Sequence, residues 1–302
     1  WANYKQYFAK ESFGYCYTLN DVIQYHTLYR DLMDFWKNLL PTKIYSLNYD
    51  SLTLNQEEEI RKLIHHLDTK KHRLANKLFK AEGKKVVNEL INAGWIFKNL
   101  FSTEQDFHPN SEILASNEMK KISNFKTPSQ VLGIFFLSKP QKILSEPITI
   151  AVDGITDPGN LGTIIRLCDW FGLSELICSK NTVDCFNSKV IQSSMGSIAR
   201  VYCHYVDDLG AILTEMQKPI YGATLKGESI YSTKLPNRAS YVFGSESHGI
   251  SRDLLSQLKE ELSIPSFREG FNKAESLNVA NASAIFLSEL FRNSKNPPVS
   301  EG

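Results

Sequence analysis

Residues 153–166 have the sequence DGITDPGNLGTIIR and follow directly on an apolar run at residues 148–152. The order predicts a strand, a tight turn and a helix, and four residues favour the turn: Gly154, Pro158, Gly159 and Gly162. Asn160 can cap this helix, which would carry Arg166. The amide and the guanidinium would then lie near one ligand, and this pairing at a helix start suits a phosphate. An ordinary strand and helix with a salt-bridging arginine is the alternative.

The remainder of residues 147–292 repeats this alternation of strand and helix. Short apolar runs separated by helical stretches lie at residues 148–152, 176–178, 199–201, 220–223, 241–244 and 262–264. This order predicts an α/β domain with a parallel sheet covered on both faces. Ligands of such sheets bind outside the carboxyl ends of the strands. We therefore expect the functional site at that edge.

A second motif, YVFGSESHGIS at residues 241–251, also runs from a predicted strand into a loop. Gly244 permits close approach of a ligand to the backbone, and Glu246 places a carboxylate at the mouth of the sheet. Turns commonly use glycine and surfaces commonly use glutamate, so the motif is weak by itself. His248 is more typical of a bystander than of a general base.

A third motif combines SIPSF at residues 263–267 with ESLNVANASAIF at residues 275–286. Its small residues let a helix pack closely against neighbouring backbone, and Ser276 and Asn278 offer hydrogen-bonding groups beside that helix. A helix with small-residue packing and no other role would have the same composition. The position of the motif after the other two is what makes it informative.

In order and spacing, the three motifs read D-P-x-N-x-G-x-x-x-R, F-G-S-E-x-x-G and I-P followed by E-S-L-N-V-A-x-A. Residues 147–290 thereby resemble the SpoU (TrmH) family of RNA 2′-O-ribose methyltransferases. The resemblance implies the SPOUT fold, whose C-terminal segment is threaded through a trefoil knot, a rare exception among proteins. It also implies S-adenosylmethionine as cofactor, rRNA or tRNA as substrate and a homodimer.

The resemblance also implies roles for individual residues. Cofactor-binding positions fall on Gly244, Ile264 and Leu277, where loop backbone groups would hold the adenosine and methionine parts. Positions associated with substrate and catalysis fall on Asn160, Arg166, Glu246, Ser276 and Asn278. A guanidinium stays charged in proteins, so we interpret Arg166 as a clamp on an RNA phosphate that also stabilises the developing alkoxide, and not as the proton acceptor.

Residues 70–145 are the basic part of the chain, with 13 lysines and arginines against 6 acidic residues. Such an excess favours contact with a polyanion, although a solvated lysine-rich helix face would give the same count. Residues 70–140 resemble the small α/β substrate-binding domain that precedes many SpoU catalytic domains, in KHRL at residues 71–74 and LFKAEG at residues 78–83. The RNA contacts predicted from this part of the chain are Lys70, Lys71 and Arg73, in addition to Arg166. A helix is expected after residue 73, up to a break at Gly83.

Residues 1–69 form a separate segment. An amphipathic helix that packs in a core is predicted from the spacing of Tyr25, Tyr29, Leu32, Met33 and Trp36, followed by a strand at residues 43–49 and a helix beginning at Asn55. YRDLMDFW at residues 29–36 and LPTKIY at residues 40–45 resemble the later part of a sulfotransferase that uses 3′-phosphoadenosine 5′-phosphosulfate.

This segment is not expected to transfer sulfate, because the glycine-rich phosphate loop of that family is absent from it. We interpret residues 1–69 as a truncated remnant, with a functional extension or a bifunctional protein as the alternative. The chain starts at Trp1 and its first methionine is Met33, so the sequence is expected to begin within something longer.

The five cysteines contain no C-x-x-C pair and no histidine spacing typical of zinc. No metal site is therefore predicted, and a reducing, cytoplasmic location is the default. The sequence also lacks a run of the roughly 18 apolar residues that a membrane span needs. A non-catalytic RNA-binding protein and a sulfotransferase remain the competing functions, in that order.

Overall fold

The computed structural model describes residues 19–39, 61–62, 64–138, 141–144, 146–267 and 275–292. The chain divides into two compact units, residues 1–60 and residues 61–302. None of the described helices is long and apolar enough to cross a membrane.

The first unit contains helix α1 (Leu19–Leu39), as predicted. The side chains of Tyr25, Tyr29 and Leu32 are more than half exposed. These exposures contradict the prediction that the three side chains pack in a core. The strand predicted at residues 43–49 and the start of the following helix lie outside the described residues.

The second unit begins with a small α/β part built on a four-stranded sheet. Its elements are α2 (Lys70–Asn76), β1 (Leu78–Glu82), α3 (Lys84–Asn92), β2 (Phe97–Ser102), β3 (Ser111–Ile113), α4 (Ser116–Ile122) and β4 (Val131–Phe136). The strand order is β1-β4-β2-β3, with β4 antiparallel to both neighbours and β2 parallel to β3. The predicted small basic α/β part is present.

Strand β1 corrects one detail of this prediction, since a helix was expected there. Lys80 and Glu82 resemble a helix's polar face in the sequence, but every residue of β1 is buried. The Lys80 ammonium lies 2.9 Å from the Asp68 carboxylate, as an ion pair without hydrogen-bond alignment. These two charged residues can be buried because they find partners in the folded chain. In the sequence, however, they hide the apolar character of the strand.

The larger part of the second unit is a six-stranded parallel sheet with helices between its strands. Its strands are β5 (Ile148–Asp153), β6 (Glu175–Ser179), β7 (Tyr202–Val206), β8 (Ile220–Ser229), β9 (Ala239–Gly244) and β10 (Glu260–Ser263). Its helices are α5 (Pro158–Trp170), α6 (Ser188–Ser194), α7 (Leu209–Glu215), α8 (Arg252–Leu255) and α9 (Val279–Phe291). The strand order β10-β8-β9-β5-β6-β7 confirms the predicted α/β class.

The strand predicted at residues 199–201 lies a few residues later, at β7. Residues Ser197–Ala199 form a 3₁₀ turn, in which the Ser197 carbonyl accepts hydrogen bonds from the N–H groups of Arg200 and Val201. Ile198 and Val201 are buried in this turn. These two residues are apolar because the turn is buried, and not because they form a strand.

The small and large sheets pack against each other through polar contacts as well as a shared apolar core. Arg200 pairs with Glu89 on α3 and with Asp169 on α5, so one guanidinium joins the two parts. The Trp95 indole N–H donates to the carbonyl of Ala199 at 3.2 Å. These contacts fix where the small α/β part lies relative to helix α5.

Candidate active site

The three sequence motifs meet at the carboxyl ends of adjacent strands. Strand β5 ends at Asp153 and β9 ends at Gly244, and these two residues are paired in register. Gly154 follows Asp153 with a φ of 69°, in the left-handed region that favours glycine. The chain turns there towards α5, while the residues after Gly244 form the second motif's loop.

Helix α5 is capped by Asp157, and not by Asn160 as predicted. An Asp157 carboxylate oxygen accepts a hydrogen bond from the Asn160 N–H at 2.8 Å, and Pro158 occupies the first helical turn. An aspartate followed by proline is a typical start of a helix, so the sequence contained this information. Because Asp157 satisfies the helix N–H group, the side chain of Asn160 is available to other partners.

Asn278 is the N-cap of α9 and sets the orientation of the site. Its Oδ1 accepts hydrogen bonds from the N–H groups of Ala280 at 3.0 Å and Asn281 at 3.3 Å. With Oδ1 held at the helix start, Nδ2 must point the other way. It donates to Asn160 Oδ1 at 2.8 Å and lies 3.4 Å from Glu246 Oε1.

Asn160 completes a hydrogen-bonded triad with Asn278 and Glu246. Since its Oδ1 accepts from Asn278, its Nδ2 is free to donate, and it does so to Glu246 Oε1. The backbone N–H groups of α9 therefore fix the amide orientation of Asn278 directly and that of Asn160 through Asn278. The predicted residues of three separate motifs come together here.

The Glu246 carboxylate of the triad is held in place by hydrogen bonds but is exposed to solvent. Both amides converge on Glu246 Oε1, and the Glu246 side chain is exposed. Among the described residues Glu246 Oε2 accepts no hydrogen bond. An acceptor oxygen on a fixed carboxylate can bind a hydroxyl group and help it lose its proton.

Of the predicted cofactor positions, Gly244 ends β9, Ile264 follows β10 and Leu277 immediately precedes the N-cap of α9. Gly244 ends β9, and a Cβ there would lie 2.2 Å from the Gly249 carbonyl carbon and 2.3 Å from the Ile250 nitrogen. The loop after it is closed by two hydrogen bonds between the backbones of Ser245 and Gly249.

Ile264 follows β10 directly and is half-buried, while Leu277 is 47% exposed immediately before the Asn278 cap. Aliphatic side chains beside loop backbone N–H and C=O groups suit a nucleoside with an amino-acid tail, because such ligands need apolar contact and a few placed polar groups. The residues present therefore fit S-adenosylmethionine.

The predicted site residues Arg166 and Ser276 have exposed side chains. Arg166 lies two turns along α5 from Asn160, and neither Arg166 nor Ser276 hydrogen-bonds to any described residue through its side chain. An unpaired guanidinium is suited to a phosphate. His248 instead bonds within its own loop, with Nδ1 2.7 Å from Ser247 Oγ.

Two of the three lysines and arginines predicted to bind RNA in the small α/β part are exposed, namely Lys70 and Lys71. Arg73 is only 3% exposed. Its guanidinium donates to the Asp184 carboxylate at 3.0 and 2.5 Å and to the carbonyls of Leu67 and Asp68 at 2.9 Å. The prediction that Arg73 contacts RNA is wrong, because it joins the two parts of the unit.

Burial makes Cys168 a poor candidate for thiol chemistry, and the described residues contain no metal-binding cluster. Four described cysteines are free, and burial raises the pKa of Cys168 to about 12. A thiol of that pKa is protonated at neutral pH and is a poor nucleophile. The described histidine, cysteine and acidic residues include no cluster with metal-binding geometry.

Solved structures share this architecture. The structure of a Porphyromonas gingivalis protein assigned to the TrmH family of RNA methyltransferases is 32% identical to this chain with a TM-score of 0.70. The match covers 83% of this chain and 100% of that one. An S-adenosylmethionine-bound rRNA methyltransferase from Sinorhizobium meliloti is 26% identical with a TM-score of 0.68. The match covers 78% of this chain and 95% of that one. Fold and site together define an S-adenosylmethionine-dependent RNA 2′-O-methyltransferase.

The family follows from the sequence matches. Residues 147–288 match the SpoU rRNA methylase family, residues 58–133 the MRM3-like substrate-binding domain and residues 1–73 the sulfotransferase family. The 23S rRNA (guanosine(2553)-2′-O)-methyltransferase RlmP of Bacillus subtilis is 30% identical over 74% of this chain and 92% of its own length. RlmB of Neisseria meningitidis, a 23S rRNA guanosine-2′-O-methyltransferase, is 34% identical over 49% of this chain and 60% of its own length. The chain belongs to the SpoU methylase family.

Proposed function

We propose that the chain methylates the ribose 2′-hydroxyl of a guanosine in large-subunit rRNA. The observation that carries this proposal is the triad of Asn160, Glu246 and Asn278, which joins three distant motifs around one exposed carboxylate. The substrate class is taken from RlmP and RlmB, which modify guanosine in 23S rRNA.

The chemistry assigns a task to each group. S-adenosylmethionine supplies an electrophilic methyl group when bound. Glu246 accepts a hydrogen bond from the ribose hydroxyl, while Asn160 and Asn278 hold that carboxylate in place. Arg166 binds an adjacent phosphate and stabilises the negative charge that develops on the ribose oxygen.

The cofactor is held by the loop positions, with Gly244 and Ile264 giving backbone contacts and Leu277 an apolar one. Ser276 lies beside them as a further hydrogen-bonding group. Alignment of acceptor oxygen and methyl group is the main contribution that such loops make to the rate.

The proposal extends to the RNA contact, the assembly and the location. Lys70 and Lys71 bind RNA phosphates through the basic small α/β part. Two copies associate, and Trp170 on α5, which is 81% exposed, supplies apolar surface for that contact. The reaction takes place in the cytoplasm, where thiols such as Cys168 stay reduced.

The test uses methyl transfer from labelled S-adenosylmethionine to rRNA from a strain that lacks the gene, followed by mapping of ribose methylation. The wild-type protein should label one guanosine ribose. Glu246→Gln preserves the acceptor but removes the charge, and should reduce single-turnover transfer by about 100-fold or more. Glu261→Gln, an exposed glutamate away from the triad, should stay within about twofold.

Three outcomes would contradict the proposal. Cofactor binding without transfer to any RNA would make the chain a non-catalytic RNA-binding protein. Label on a base, or only on tRNA, would make the substrate assignment wrong. Equal activity of the Glu246→Gln and Glu261→Gln variants would remove Glu246 from the reaction.

A further inference from the structure

A cleft of about 460 Å³ lies between the small α/β part and the end strand of the large sheet. The small part contributes Lys70, Leu74 and Trp95, and the segment that connects the two parts contributes Leu137 and Ile143. The large sheet contributes β7 and the 3₁₀ turn before it. A cleft of this size, in the range of small-ligand sites, can take a single nucleotide.

The wall of the cleft is mostly apolar and aromatic, and two of its ionisable side chains already have partners. The Asp184 carboxylate accepts hydrogen bonds from the Arg73 guanidinium, and His204 Nε2 lies 2.9 Å from the Glu175 carboxylate. Lys70 differs, because among the described residues it forms no ion pair. Its ammonium lies 5.3 Å from the centre of the Tyr205 ring, at the mouth of the cleft.

Among the described residues that line the cleft, Lys70 is therefore the basic side chain without an ion-pair partner, and it lies beside an apolar and aromatic wall. A ligand that complements both must have an anionic group and a planar apolar body. A nucleotide has this combination, with its phosphate for Lys70 and its base for the wall formed by Trp95 and Tyr202. Unpaired bases in RNA are recognised in this way, by aromatic side chains beside basic ones.

The cleft is separate from the triad. None of its lining residues belongs to the three motifs. Strand β7 is separated from β5 only by β6, which places the strands about 10 Å apart at the usual interstrand spacing. The triad lies beyond the carboxyl ends of β5 and β9, so the cleft and the triad belong to neighbouring parts of the same sheet.

We propose that this cleft binds an unpaired nucleotide of the RNA substrate that flanks the methylated one. The base inserts against Trp95 and Tyr202, and Lys70 holds its phosphate. The inference rests on the proposed function, since it names how the same site's RNA is selected. It gives the small α/β part a specific contact in addition to its general positive charge.

The first experiment compares matched variants with unmodified large-subunit rRNA as substrate. Lys70→Ala should raise the KM for RNA by about tenfold, whereas Lys98→Ala, which removes the same charge from an exposed position outside the cleft, should change it by about twofold or less. Leu74→Trp fills the mouth of the cleft and should act like Lys70→Ala. Ile113→Trp adds the same side chain to β3 and should not. The affinity for S-adenosylmethionine should be equal in all four.

The second experiment uses a 12-nucleotide oligouridylate that carries one 4-thiouridine, cross-linked by light and mapped by mass spectrometry. Cross-links to Trp95 or to residues 202–205 that disappear in Leu74→Trp support the inference. Cross-links elsewhere only, or equal KM values for Lys70→Ala and Lys98→Ala, would overturn it. If the wild-type protein methylates no RNA but cross-links in the cleft, the proposed function fails and the nucleotide site stands.

Discussion

At the scale of single residues, Asn278 has two separable tasks. Its Oδ1 caps α9, and its Nδ2 contacts Asn160 and lies within reach of Glu246. A cap stabilises the helix, while the amide donor orients the Glu246 carboxylate that we propose as the acceptor for the ribose hydroxyl. Substitutions that remove one task and keep the other distinguish stability from catalysis.

Asn278→Asp should retain stability and lose activity. Aspartate caps helices as well as asparagine does, so the midpoint of thermal unfolding should change little. The variant lacks the N–H donor and places a second carboxylate beside Glu246, which should lower single-turnover methyl transfer by about 100-fold. Asn278→Ala should lose activity and about 1 kcal/mol of stability as well. Full activity of the aspartate variant would show that the donor is not needed.

The sequence predicted which residues form this site better than it predicted how they act. The family resemblance implied roles for Asn160, Glu246 and Asn278, and the structure joins these three residues. The sequence prediction assigned Asn160 to a helix cap and overlooked the neighbouring Asp157-Pro158 pair, which is the more typical helix start. It also assigned Arg73 to RNA, because the partner Asp184 lies 111 residues away in the chain. The spacing of motifs along the chain does not show which distant segments come into contact in the fold.

At the scale of elements, the position of α5 depends on Gly162. A Cβ at this position would lie 1.9 Å from Ser193 Oγ and 2.7 Å from the Val190 carbonyl oxygen, both on α6. The sequence favours Gly162 as a turn residue, but the structure places it inside the helix with α6 packed directly against it. The glycine permits close helix packing, which keeps Asn160 beside the strand ends.

Gly162→Ala should therefore destabilise the protein, although alanine is the better helix former. The gain in helix propensity is about 1 kcal/mol, whereas overpacking against a backbone carbonyl costs about 1–3 kcal/mol or more. The free energy of unfolding in urea should fall. Thr163→Ala, at the next and exposed position of α5, should change it by about 0.5 kcal/mol or less. A Ser193→Gly substitution in the same chain should restore part of the loss, and no change in Gly162→Ala would refute the packing argument.

Elements with clear periodicity were predicted well, and those whose polar residues are buried were not. Five of the six strands of the large sheet contain or overlap a short apolar run, so five of the six predicted runs lie within or overlap the observed strands. Strand β1 was missed because Lys80 and Glu82 occur in a fully buried strand. Their partners, Asp68 for Lys80 and Ser123 for Glu82, are supplied by tertiary structure.

At the scale of the whole molecule, the second unit begins before the predicted boundary between residues 69 and 70. Ile64 and Leu67 are 1% and 2% exposed. The Leu67 and Asp68 carbonyls accept hydrogen bonds from Arg73, and the Asp68 carboxylate pairs with Lys80. The match of the substrate-binding domain from residue 58 agrees with this division, which lies at residue 61 in the structure.

Two truncated chains test where the functional unit starts. Residues 58–302 should keep the full chain's methyl-transfer rate, because every motif and every contact of the triad lies within them. Residues 70–302 should be much less stable, since each of two buried aliphatic side chains contributes about 1.5–3 kcal/mol and the buried Lys80 loses its partner Asp68. Thermal unfolding and single-turnover transfer measure both effects. Loss of activity in residues 58–302 would make the preceding segment a functional extension, and equal stability of the two chains would restore the boundary at residue 70.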